Sequence, residues 1–111
     1  MSLDLLKGTL DVLILKALSW EPGHGYGIAK AIRAATGGDF DVEEGALYPA
    51  LRRLERRGLL TARWGTTDTG RRARFYRLSS EGRASLEREV ETWGRYVDAR
   101  SRVLYADGPL E

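Results

Sequence analysis

The order helix, helix, helix, short hairpin, long helix predicts a mainly α fold with one small β-hairpin. Three observations carry it. Apolar residues recur at helical spacing over 3–20, 25–36 and 45–57, the period shortens to two over 60–64 and 73–78, and helical spacing returns after Ser79. At 111 residues, 42% of them hydrophobic, the chain has the size of one domain with a real core.

In the first helix Leu3, Leu6, Leu10, Leu13 and Ala17 follow a 3-4-3-4 spacing, with Leu5, Val12, Ile14, Leu15 and Leu18 filling further positions. A helix apolar on more than one face is either central or covered by a second subunit. Glu21-Pro22-Gly23 stops it, since proline cannot continue the ladder and glycine turns easily. The second helix carries Ile28 and Ile32 and stops at Gly37-Gly38; 39–44 is a linker. The third places Leu47, Leu51 and Leu54 inward, and Pro49 requires it to begin close before that residue. Two strands follow around a polar loop, 65–72, that reads as extended. Ser79 caps the last helix, with Glu81 in its first turn and Leu86, Val90, Trp93, Val97 and Leu104 as an apolar seam broken at Arg100. Asp107-Gly108-Pro109 ends it.

Composition narrows the chemistry. There is no cysteine, and His24 is the lone histidine, so thiol nucleophiles, zinc–cysteine sites and imidazole clusters are excluded. No Ser/His/Asp set or metal set can be assembled, so no catalytic residues, metal or cofactor are expected and the protein is read as no enzyme. The Gly23–Lys30 stretch fails both phosphate-loop patterns. No apolar run reaches the length of a membrane span, and Met1 leads into no signal segment, so a cytoplasmic protein without membrane contact is expected.

The net charge of +2 hides its distribution. Residues 52–77 hold nine arginines against Glu55 and Asp68, giving +7, while 1–51 and 78–111 carry −3 and −2. A basic middle between acidic ends suits a polyanion. Three helices and a hairpin make a winged helix-turn-helix, and the charge falls on its two contacting elements. With the leucines of helix 45–57 inward, Tyr48, Arg52, Arg53 and Arg56 occupy outer faces of a recognition helix, Arg53 and Arg57 lying nearer the solvated side. Arg71, Arg72 and Arg74 sit at or beside the tip of the wing, where they can follow a sugar-phosphate backbone or enter a minor groove.

The final seam has no sequence-local partner, so it is expected to pair with an over-apolar first helix across a homodimer through Leu6, Leu10, Leu13, Leu86, Val90, Trp93, Val97 and Leu104. Trp93 is either a plain interface anchor or a flat wall for a planar effector. The domain bounds that follow are 1–78 for the DNA-binding unit (3–20 also in the dimer interface), 79–106 for the dimerisation helix and 107–111 for a tail. Two other readings stand beside this one. A winged-helix module for protein–protein contact would bind DNA negligibly. A small-molecule-binding protein or cryptic enzyme lacks a usable catalytic set.

The quoted residues resemble the PadR family of bacterial transcriptional regulators. The matching stretches are Gly8-Thr9-Leu10-Asp11, His24-Gly25-Tyr26-Gly27-Ile28, Glu44-Gly45-Ala46-Leu47-Tyr48-Pro49-Ala50-Leu51 with Arg53-Leu54-Glu55, and Tyr76-Arg77-Leu78-Ser79 with Gly82. With Trp93 they span nearly the whole chain, at the length of the compact subfamily with one C-terminal helix. The resemblance implies a homodimer whose final helix packs on the partner's first helix. It also implies a repressor of a pseudo-palindromic operator in double-stranded DNA, released by small planar molecules such as phenolic acids or drugs. In multidrug-sensing relatives a tryptophan pair on the last helix sandwiches the ligand, and Trp93 stands at that place. The family's recognition helix often has serine where this chain has Gly45.

Overall fold

The computed structural model describes residues 3–109. The elements in chain order are α1 (Thr9–Trp20), β1 (Gly23–His24), α2 (Gly25–Ala35), α3 (Glu44–Arg56), β2 (Leu60–Thr66), β3 (Arg72–Leu78) and α4 (Ser80–Leu104). The strands form an antiparallel sheet in the order β1-β3-β2, with Leu60 opposite Leu78, Thr66 opposite Arg72 and His24 opposite Phe75.

The expected helices, hairpin and long terminal helix are all present, and Leu47, Leu51 and Leu54 are buried as their spacing requires. Around them close Ile14, Leu15 and Leu18 of α1, Ile28 and Ile32 of α2, Leu60, Tyr76 and Leu78 of the sheet, and Leu86 of α4. α1 is therefore central: α2, α3, β3 and α4 of its own chain all pack on it, and its excess apolar surface is largely covered from within. Burial also pushes the Tyr76 hydroxyl up from its ordinary pKa, keeping it neutral in this core.

Five sequence expectations are corrected. The first helix starts at Thr9, because Gly8 adopts a left-handed φ of 85° that no helix interior holds. Leu3 and Leu6 precede it; Leu6 is exposed, and the Leu3 amide donates to the Asp39 carbonyl. The sheet has a third strand, β1, whose two residues are too short to show a period. Pro49 lies in the second turn of α3, where the missing N–H leaves only the carbonyl of exposed Gly45 without a helical partner. β2 and β3 extend past the expected ends at Trp64 and Ala73, because the Phe75 ring lies across Gly65 on the facing strand; a Cβ there would sit 2.9 Å from the ring. Finally, Leu86 is buried in the core, so the start of the α4 seam already has a partner within its own chain.

α4 is locked at its base. The Ser79 hydroxyl accepts from the Gly82 amide at 3.0 Å and donates to the Gly58 carbonyl at 2.6 Å, and the Ser79 amide donates to the Leu59 carbonyl. Ser79→Ala removes both side-chain bonds and is expected to cost about 1 kcal/mol of stability, read as a lower urea midpoint with an unchanged slope. In the first turn, Glu81's own backbone N–H and the Ser80 hydroxyl hold its carboxyl below the usual carboxylate range. Whatever stability this lends is present above the ordinary pKa and lost as pH falls through the lowered one. Beyond Leu86 the helix leaves the core, and residues 87–100 are exposed throughout.

Candidate nucleic-acid interface

α3 buries one side and turns the other out. Tyr48, Arg52, Arg53 and Arg56 lie on the outer side, as their spacing from the buried leucines dictates. Tyr48 is 39% exposed: its ring lies over the first residue of α2, where a Cβ on Gly25 would stand 2.8 Å from the ring edge. The tyrosine thus leans across the α2 N-terminus, and its ring ties the two helices of the helix-turn-helix together.

Two of the seven expected DNA-directed side chains are not free. Arg53 donates to Asp11 of α1 at 2.8 Å, and Arg74 donates to Glu55 of α3 at 2.7 Å. The pairs fix α3 against the helix behind it and the wing beside it. All four groups are partly solvated, so each pair contributes at most about 1 kcal/mol. Arg52, Arg56, Arg71 and Arg72 have no carboxylate partner among the described residues. Arg53→Ala and Arg74→Ala are therefore expected to lower stability slightly. Each should change the salt dependence of duplex binding less than Arg52→Ala does, in a fluorescence titration at several salt concentrations.

The wing is stiffer than an extended loop. Its tip is 67–71, where the Thr67 amide donates to the Arg71 carbonyl at 2.8 Å, the Arg71 amide to the Thr67 hydroxyl at 3.1 Å and the Gly70 amide to the Thr67 carbonyl at 2.9 Å. Arg71 closes this loop; Arg72 and Arg74 stand on β3 rather than at the tip. Alternation along β3 puts Arg72, Arg74 and Tyr76 on one face, and the Arg74–Glu55 pair shows that this face looks toward α3. Trp64 is on the same face, 59% exposed, with the Arg72 guanidinium 4.9 Å from its ring centre. Its diagonal relation to Arg72 follows from the strand register and not from any spacing in the sequence.

The opposite face of the sheet carries Phe75 with His24 packed edge-to-face at 5.3 Å, and Tyr26 stacks on His24. The lone histidine is thus a β1 residue within an aromatic row. On α4, Val90, Trp93, Val97 and Leu104 are exposed, and Trp93 stacks on Tyr96, one turn on, at 5.7 Å between ring centres. Leu10 and Leu13 are partly buried against the core. No group of His, Asp and Glu among the described residues could hold a metal ion, and none of the described helices is long and apolar enough to cross a membrane.

A family model described as the transcriptional regulator PadR-like family matches residues 14–88. An uncharacterized protein X of Lysinibacillus sphaericus is 32% identical over 90 residues, 81% of this chain and 83% of that protein. The transcriptional regulator YqjI of Escherichia coli is 39% identical over 56 residues, but those are half of this chain and only 27% of that regulator. Among solved structures, a transcriptional regulator from Clostridium thermocellum superposes with a TM-score of 0.80 at 30% identity, over 92% of this chain and 96% of the other.

Proposed function

The chain belongs to the PadR-like family of transcriptional regulators, DNA-binding proteins and not enzymes, and from that premise we propose that it is a dimeric repressor gripping its operator with α3 and the wing. In this reading Tyr48 and Arg52, one turn apart on the outer side of α3, work in the major groove, Arg56 meets phosphate, and Arg71 and Arg72 hold backbone or minor groove. Arg53 and Arg74 act at one remove, holding α3 and the wing at a fixed angle. The observation that carries the reading is that Arg52 and Arg56 on α3, Arg71 at the wing tip and Arg72 on its α3-facing side have no carboxylate partner among the described residues, while Arg74–Glu55 ties the wing to α3 and Arg53–Asp11 ties α3 to α1.

Two copies pair in this proposal through the part of α4 that its own core does not cover: Val90, Trp93, Val97 and Leu104, against the partner's first helix near Leu10 and Leu13. The DNA-binding unit thus ends at Leu78, and the helix after Ser79 is the dimerisation element. Exposed apolar surface of this extent fits an interface. The stacked Trp93–Tyr96 pair offers a flat aromatic surface to a planar effector that releases the operator.

The test is fluorescence anisotropy of a labelled duplex from the protein's own promoter against a scrambled duplex, at several salt concentrations. Specific binding with a steep salt slope supports the reading; equal, salt-insensitive binding to both contradicts it and favours a protein-binding module. A planar phenolic carboxylate added to the complex is expected to quench tryptophan fluorescence and release the duplex, and Trp93→Phe should abolish both effects. Quenching and release that survive Trp93→Phe would place the effector site elsewhere.

A further inference from the structure

Trp64 has no part in the core, yet it is one of the largest side chains on the wing. It stands 59% exposed, on the sheet face that turns toward α3. Trp64 pairs with Arg74 and Thr66 with Arg72, so Trp64 and Arg72 are diagonal neighbours on one face, close enough for a long side chain to cover an aromatic ring. The guanidinium carbon of Arg72 sits 4.9 Å from the indole centre. Arg53 and Arg74 spend their N–H groups on carboxylates; Arg72 rests on a ring instead.

That difference has a chemical consequence. A carboxylate occupies the N–H edge of a guanidinium, which is the edge a phosphate would use. An aromatic ring engages only the planar face and leaves the N–H edge open. The stack also removes rotamer freedom from a side chain that would otherwise lose it on binding. Next to it, Arg71 closes a loop whose backbone is already hydrogen-bonded, so the backbone that carries Arg72 is held before any ligand arrives.

We propose that Trp64 is a positioning residue for DNA binding: its indole is the platform that holds Arg72 with its N–H edge presented to a phosphate of the duplex bound by α3. This rests on the wing being a DNA contact. The residue need not touch DNA itself, and its effect passes through Arg72.

The test is a double-mutant cycle on a fluorescein-labelled duplex of mixed sequence at low salt, where phosphate contacts dominate binding. The variants are Trp64→Leu, Trp64→Phe, Arg72→Ala and the Trp64→Leu/Arg72→Ala pair, each checked by urea unfolding. Trp64→Leu is expected to weaken binding about two- to fivefold, the size of an exposed cation–π contact, with Trp64→Phe recovering most of the loss. In the Arg72→Ala background Trp64→Leu should cost nothing further. An equal loss in both backgrounds overturns the platform, because Trp64 would then act without Arg72. So does full affinity in Trp64→Leu alongside weakened binding in Arg72→Ala. Unchanged affinity and salt slope in Arg72→Ala would instead remove Arg72 from DNA binding, and the platform with it.

Discussion

Replacing Arg52, Arg56, Arg71 and Arg72 together by alanine is expected to flatten the plot of log affinity against log salt by about 3.6 per protomer, about 0.9 for each phosphate contact removed. Between about 50 and about 200 mM salt the native protein should then lose roughly a hundredfold more affinity than the variant for each protomer bound. The four are singled out because none is engaged by a carboxylate, and because α3, the wing tip and the α3-facing side of the wing carry them. The fold should survive. All four are exposed and none contributes to the core, so unfolding in urea should shift by no more than about 0.5 kcal/mol per site. A flattened slope with an unchanged urea midpoint separates lost contacts from lost structure. A steep slope in the quadruple variant would mean that other cations, such as Arg57, Arg63 or Arg77, carry the phosphates.

The largest effect on stability is expected from Gly82→Ala. A Cβ at this position in α4 would stand 2.1 Å from the Leu59 carbonyl oxygen, 3.1 Å from its carbon and 3.2 Å from a Leu78 methyl. The carbonyl cannot swing away cheaply, because the Ser79 amide donates to it at 3.1 Å and the Ser79 side chain binds Gly58 beside it. Alanine gains about 1 kcal/mol over glycine in a helix, but a backbone clash of this depth costs more, and the net expectation is a loss of roughly 1–3 kcal/mol. Gly94, three turns along the same helix, supplies the control. A Cβ there meets nothing within 4 Å, so Gly94→Ala should stabilise by up to about 1 kcal/mol. Opposite signs for the two substitutions in urea unfolding support this account of the α4 base; equal effects contradict it. Tyr48 makes Gly25→Ala an intermediate case, since a half-exposed ring can turn aside where a backbone carbonyl cannot.

Much of this was legible in the sequence where one physical constraint dominates. The spacing of Leu47, Leu51 and Leu54 decides which face of α3 is buried, and therefore which arginines face out. Ser79 caps its helix because a short oxygen side chain before an amphipathic run satisfies an orphan amide. What was hidden depends on contacts distant in sequence. The Arg53–Asp11 pair spans 42 positions and the Arg74–Glu55 pair 19, so no local pattern distinguishes these arginines from their free neighbours. β1 is too short to declare a period and exists only because β3 offers it an edge. Gly65 looks like a strand end until Phe75 is seen to cover it, and Leu86 looks like an unpaired seam residue until α4 is seen to start inside the core. In each case the deciding partner came from another element.

The most direct measurement is a backbone amide NMR titration of the protein with its promoter duplex. The account predicts shifts concentrated at Tyr48, Arg52 and Arg56 of α3 and at 67–72 of the wing, with the opposite sheet face at Thr61, Phe75 and Arg77 essentially unmoved. Shifts confined to that opposite face or to α4 beyond Val90, with α3 and the wing silent, would contradict it.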